Sequence, residues 1–150
     1  YLGFSESSDL YQKLVIQEQE VDRLQADSPD RVDPNLFAVF ARVKKPAEIE
    51  SVRADILATL EGFKDKLVAA KRLEEVKQHL RYRFALSLNN SEAIAGIVAR
   101  YVVLQRTPET INRVYDLYDR ITPEDIQAMA RKYLVESART TVTLMGGKAQ

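Results

Sequence analysis

The 150 residues include no cysteine, no tryptophan and a single histidine, His79. Without cysteine there is no disulfide framework, no thiolate zinc ligand and no thiol nucleophile. One histidine does not make a standard His/Cys zinc site. Lack of cysteine suits cytosol and periplasm alike, so the compartment stays open. An excess of one charge sign is missing too, because 22 basic residues balance 22 acidic ones. A nucleic-acid surface needs a basic excess, so none is expected. No run approaches the roughly 18 apolar residues of a membrane span. Tyr1-Leu2-Gly3-Phe4 lacks the basic region and apolar run of a secretory signal, and there is no initiator methionine. The expectation is a piece of a longer protein.

What is present is an ordinary globular balance, with 45% hydrophobic and 29% charged residues. The length suits one domain with a sizeable core. Charge is uneven along the chain. Residues 1–35 carry eight acids and three bases, and residues 36–105 carry eight acids and twelve bases. Solvated helix faces account for such runs.

The spacing predicts a first helix over about Ser5–Gln19, with Ser5, Ser7 and Ser8 as cap oxygens and Asp9 in the first turn. Val21–Asp27 reads as a half-buried strand. Ser28-Pro29-Asp30 and Asp33-Pro34-Asn35 read as turns. Leu36–Val43 is a second strand, so an antiparallel hairpin is expected. Ile49, Val52, Ile56, Leu60, Phe63 and Leu67 form one helical stripe, weakened slightly by Gly62. Leu73, Val76, Leu80, Phe84 and Leu88 form another. Ser91 is placed to cap a third helix to about Gln105. Thr107-Pro108-Glu109 and Thr122-Pro123-Glu124-Asp125 are helix starts, the latter for a helix ending near Leu134. Thr140–Met145 is β-branched and reads as a third strand, ended by Gly146-Gly147. The class is α+β: two layers, with helices on one face of a mainly antiparallel sheet, lacking its first strand in this fragment.

Candidate chemistry is sparse. His79 has Glu75 four residues before it and Arg83 four after, a spacing for a salt-linked surface triplet. Glu74-Glu75 sits among Lys71, Arg72 and Lys77, and Glu124-Asp125 completes a helix start. The basic helix around Tyr82 and Phe84 offers charge for an anionic polymer, but Phe84 lies on the apolar stripe. Tyr115 and Tyr118 share a helix side with Ile111, Val114 and Ile121, which suits packing. Gly146-Gly147 opens no helix, and no phosphate loop or G-x-S-x-G elbow occurs.

Several segments together resemble the pitrilysin-type (insulinase-like) zinc peptidases, which include mitochondrial processing peptidase. Ser8-Asp9-Leu10 with Leu14 is similar to their "S-x-L-x-x-x-L" helix. Asp33-Pro34-Asn35-Leu36-Phe37-Ala38-Val39 is similar to a "D-P-x-L-F-x-(I/V)" strand. Leu73-Glu74-Glu75-Val76-Lys77 with Phe84 follows. Ile121-Thr122-Pro123-Glu124-Asp125-Ile126 with Ala130 and Lys132-Tyr133-Leu134 resembles "I-T-P-E-D-I-x-x-x-A-x-K-Y-L". Val142-Thr143-Leu144 resembles the closing "V-x-L" strand.

The resemblance implies the C-terminal, non-zinc domain of a two-domain subunit in a clamshell. It implies that zinc, held by H-x-x-E-H and a distant Glu, belongs to the upstream domain. This chain has no such motif, so no catalytic, cofactor-binding or metal residue is assigned to it. Some second domains carry an Arg and, seven residues on, a Tyr near the zinc. Registered on Leu10 and Leu14, those positions hold Val15 and Asp22 here, and neither matches. Arg23 adjoins the second position but is expected on the other side of the strand. The implied partners are the upstream zinc domain of the same chain, a second subunit or second copy, and peptide substrate. The alternative the family allows is an inactive scaffold or assembly subunit. Bacterial relatives are often periplasmic.

Overall fold

The computed structural model of the protein describes residues 1–29, 31–33, 35–105, 107 and 109–146. The first helix starts later than its serine cluster suggests. Helix α1 spans Asp9–Tyr11 and runs on as a π-helix over Gln12–Gln17. Ser8 caps it, its Oγ accepting from the Tyr11 amide at 3.3 Å, whereas Ser5 and Ser7 bond to one another. Leu10 and Leu14 point inward and are buried. Gln19, at φ 54°, takes the left-handed conformation that ends the helix and turns the chain into the sheet.

Strand β1, Val21–Asp27, pairs antiparallel with β2, Ala38–Val43, in a register running from Val21↔Val43 to Asp27↔Ala38. The hairpin forms as its β-branched and alternating residues suggest. A bulge between Val21 and Arg23 resets the alternation, which is why Val21 and Leu24, three apart, are both buried. The second strand begins at Ala38 rather than Leu36, because Leu36 is bonded through its amide to the Asn35 side chain instead of entering the ladder. Asp30 of the first expected turn and Pro34 of the second lie outside the described residues.

A 3-10 turn at Pro46–Glu48 leads into α2, Ile49–Asp65. Its stripe behaves as the spacing predicts from Ile49 to Phe63, but the helix ends at Asp65, and Leu67 beyond it is half exposed. Val52 is fully buried, and Ile56 and Leu60 pack beside it against the hairpin. The core under the sheet is Phe4, Leu10, Leu14, Val21, Leu24 and Val52, with Val39, Ala41 and Val43 of β2 closing it. Each fully buried aliphatic here contributes about 1.5–3 kcal/mol. Helix α1 and α2 thus cover one face of the hairpin, and among the described residues the other face is open.

The remaining helices are α3 (Ala70–Ser87), α4 (Ser91–Gln105), α5 (Thr110–Arg120) and α6 (Pro123–Tyr133). Asn90, one residue before the expected Ser91, caps α4 through Oδ1 to the Ala93 amide at 2.8 Å. Helix α5 begins at Thr110 behind Glu109, and Thr107 meets Thr110 by their hydroxyls instead of capping; Pro108 lies outside the described residues. Thr122 and Asp125 form a reciprocal capping box on α6. Helix α6 lies along α2, where Arg131 Nε donates to the Lys64 carbonyl at 2.8 Å. A cation there satisfies a helix C-terminus. Lys77 of α3 does the same for α5, reaching the Asp119 carbonyl at 3.1 Å while it pairs with Glu74 at 2.7 Å.

The third strand does not form among the described residues. The sheet has two strands, and residues 140–146 lie unpaired with Val142 and Leu144 almost fully exposed. Thr143 is held from the side, by Arg53 Nη2 to its Oγ1 at 3.0 Å. β-propensity is a fit to a neighbouring strand, and no described strand lies alongside this one. Gly147 lies outside the described residues.

Candidate functional site

The open face of the hairpin is where sequence and family resemblance converge. Asp22 and Arg42 join across the strands at 2.7 Å. Arg23 bonds Gln25 at 2.9 and 3.0 Å and lies 5.7 Å from the centre of the Phe40 ring. Phe40 is half exposed. Arg42 beside Asp22 holds that carboxyl below the usual range. The bulge corrects one expectation: Asp22 and Arg23 are both exposed, not on opposite sides. Val15 packs against the core. The positions where some second domains carry an Arg and a Tyr thus hold one buttressing aliphatic and one surface ion pair.

Behind this layer, a groove of about 480 Å³ opens between the chain start and the end of α2. Leu2, Leu10, Phe63 and Leu67 line it, with Lys66 and Arg72 at its rim. Gly3 lies against Phe63, where a Cβ would sit 2.9 Å from the ring. Arg72 is committed to Ser7, bonding its carbonyl and its hydroxyl at 2.9 Å.

The histidine triplet is not formed. Glu75 pairs with Arg72 at 3.5 Å, Arg83 donates to the Tyr1 hydroxyl at 2.5 Å, and His79 faces the Tyr1 ring with centroids 6.1 Å apart. Tyr1 competes successfully because its ring and hydroxyl meet both residues at once. Glu74 serves Lys77, and Asp125 serves the cap of α6. No cluster of three metal-ligating side chains occurs among the described residues. A lone exposed His79 whose neighbouring carboxylate is bound to arginine does not fit a zinc ion. No step through zinc is therefore derived from these residues.

The aromatic helix side is packing, as its spacing suggests. Phe84 of α3 meets Tyr115 at 4.4 Å, and Tyr118 stands edge-on to Tyr115 at 5.5 Å. Desolvation, aided by Tyr101 and Tyr118, pushes the Tyr115 hydroxyl up to about 12. Arg81 ties the same helices together through Asp119.

With this geometry in place, likeness to known proteins is informative. The chain is 24% identical over 143 residues to the zinc protease PqqE of Helicobacter pylori (strain ATCC 700392 / 26695), across 95% of this chain. Its fold is that of a protease from Helicobacter pylori known from a crystal structure, with a TM-score of 0.80 and 21% identity over 91% of the chain. This chain is similar to a segment of a zinc protease. It spans about a third of each relative, 32% of the first and 33% of the second. No protein-family model matches. The likeness supports the peptidase resemblance carried by the sequence motifs, and the α+β class is that of the solved protease. What the motifs missed is the bulge at Asp22, which leaves no signal beyond a broken alternation of apolar residues.

Proposed function

We propose that this chain is the non-catalytic C-terminal domain of a zinc-dependent metalloendopeptidase of the pitrilysin type. Its work is to close the peptide chamber and support an upstream zinc domain. The observation that carries this reading is likeness along 95% of the chain to one third of a zinc protease, in a sequence with one histidine. A zinc site of the H-x-x-E-H kind needs two, so the zinc ligands must come from elsewhere in the parent. The hairpin suits the chamber role. Its strands pair only with one another among the described residues, which leaves main-chain edges for an extended peptide.

The test compares the chain with its full-length parent by elemental analysis for zinc and by cleavage of unfolded peptides. The expected result is stoichiometric zinc and cleavage in the parent, with neither in the chain. Zinc bound stoichiometrically by the chain alone would overturn the assignment. A parent that binds no zinc and cuts nothing is instead the scaffold subunit the same family allows.

A further inference from the structure

We propose that the open face of the hairpin selects peptides carrying an acidic side chain two residues from a large apolar one, with Arg23 and Phe40 as the recognising pair. The inference rests on the peptidase reading and names the substrate that its chamber prefers. Two guanidiniums on this face share one carboxylate. Arg23 stands directly opposite Arg42 in the ladder, and like charges so placed repel. Asp22 pairs with Arg42 at 2.7 Å. Arg23 has only the uncharged Gln25 amide and the Phe40 ring.

The other acid of β1 is Asp27. It lies four residues beyond Arg23, about 13 Å along the strand. That exceeds the roughly 8–10 Å over which exposed charges act in physiological salt. One positive charge near the middle of the face is therefore unmatched among the described residues, and a ligand that answers it brings one carboxylate.

Geometry sets the second requirement. Gln25 Oε1 accepts from Nε and Nη2 of Arg23. Nη1 and one N–H of Nη2 are left over, and together they form a fork for both oxygens of a carboxylate. Leaning on Phe40 carries this guanidinium from β1 across to β2, whose outer edge is unpaired among the described residues. Phe40 itself is 49% exposed. A peptide added along that edge lies about 4.8 Å from β2 and presents alternate side chains over the open face. Such side chains stand about 7 Å apart. The guanidinium and the ring centre are 5.7 Å apart, so an acid on the fork and an apolar group on the ring fit residues two apart.

Two peptides that differ only by Glu against Gln, each with Leu two residues on, test this without altering the protein. The parent should cut the Glu peptide with kcat/KM about fivefold higher. Arg23→Gln should abolish that difference, and Arg23→Glu should turn the preference to a Lys peptide. Phe40→Ala should keep the acid preference and lose the preference for Leu over Ser. Equal cleavage overturns the proposal and leaves the peptidase reading standing, as does a preference that survives Arg23→Gln. A parent that cuts neither peptide fails the peptidase reading, and titration into the chain itself then decides the proposal. There the Arg23 Nε–H signal in NMR should move with the Glu peptide and not with the Gln peptide. A signal that moves with neither, or equally with both, overturns it.

Discussion

Thr122 and Asp125 show how much one residue contributes at a helix start. The Thr122 Oγ1 accepts from the Asp125 amide at 3.2 Å, and the Asp125 carboxylate accepts from the Thr122 amide at 2.9 Å. The Thr122 hydroxyl also donates to that carboxylate at 3.0 Å, so Thr122→Ala removes both hydroxyl bonds, leaves the amide one, and should cost about 1 kcal/mol in urea denaturation. The second half of the box is pH-dependent. The backbone and hydroxyl of Thr122 hold the Asp125 carboxyl below its ordinary value, as Arg42 does for Asp22. Both groups bind protons more readily in the unfolded chain. Their contribution is therefore present above about pH 4 and lost as pH falls through the depressed folded values. The stability gap between the native chain and Asp125→Asn should close on acidification. A gap that stays constant would assign the effect to shape and not to charge.

At the scale of elements, burial sorts residues that sequence periodicity treats alike. Leu24 is 5% exposed under the hairpin, whereas Leu80 is only partly buried on α3. Leu24→Ala should cost about 2–5 kcal/mol and Leu80→Ala roughly 1–2 kcal/mol, by equilibrium denaturation. Equal losses would contradict the division of the molecule into a packed sheet layer and a looser helical layer. Helix stripes were legible because a period of three and four survives any context, and the Thr-Pro-Glu-Asp start was legible because its chemistry is local. The β1 bulge was not, since it depends on which residue of β2 lies opposite. The fate of His79 was not legible either. Helical spacing places Glu75 and Arg83 beside it, but the ring of Tyr1, far off in sequence, takes Arg83. Of the candidate site, the absence of a second histidine was plain at once, and the shape of the hairpin's open face needed the fold.

For the whole molecule, Thr140–Met145 is the informative segment. It is β-branched and uncharged, yet Val142 is 84% and Leu144 95% exposed. Such a sequence is written for a strand, and in this chain it has no described strand to join. Arg53, one residue from the buried Val52, nevertheless tethers Thr143 to the helix that carries the hairpin. The segment is thus held near the sheet layer without belonging to the sheet. In the chain, Val142→Lys and Leu144→Lys remove almost no buried surface, so each should change stability by less than about 0.5 kcal/mol. Under the proposed function, the parent supplies the neighbouring strand. There Val142 and Leu144, two residues apart, share one face of the strand and turn inward together, with Thr143 on the other side. The same substitutions in the parent should then each lower the thermal midpoint clearly. Small effects at both positions in chain and parent alike would show that the segment stays outside the sheet, and the third strand expected from its residues would be lost with it.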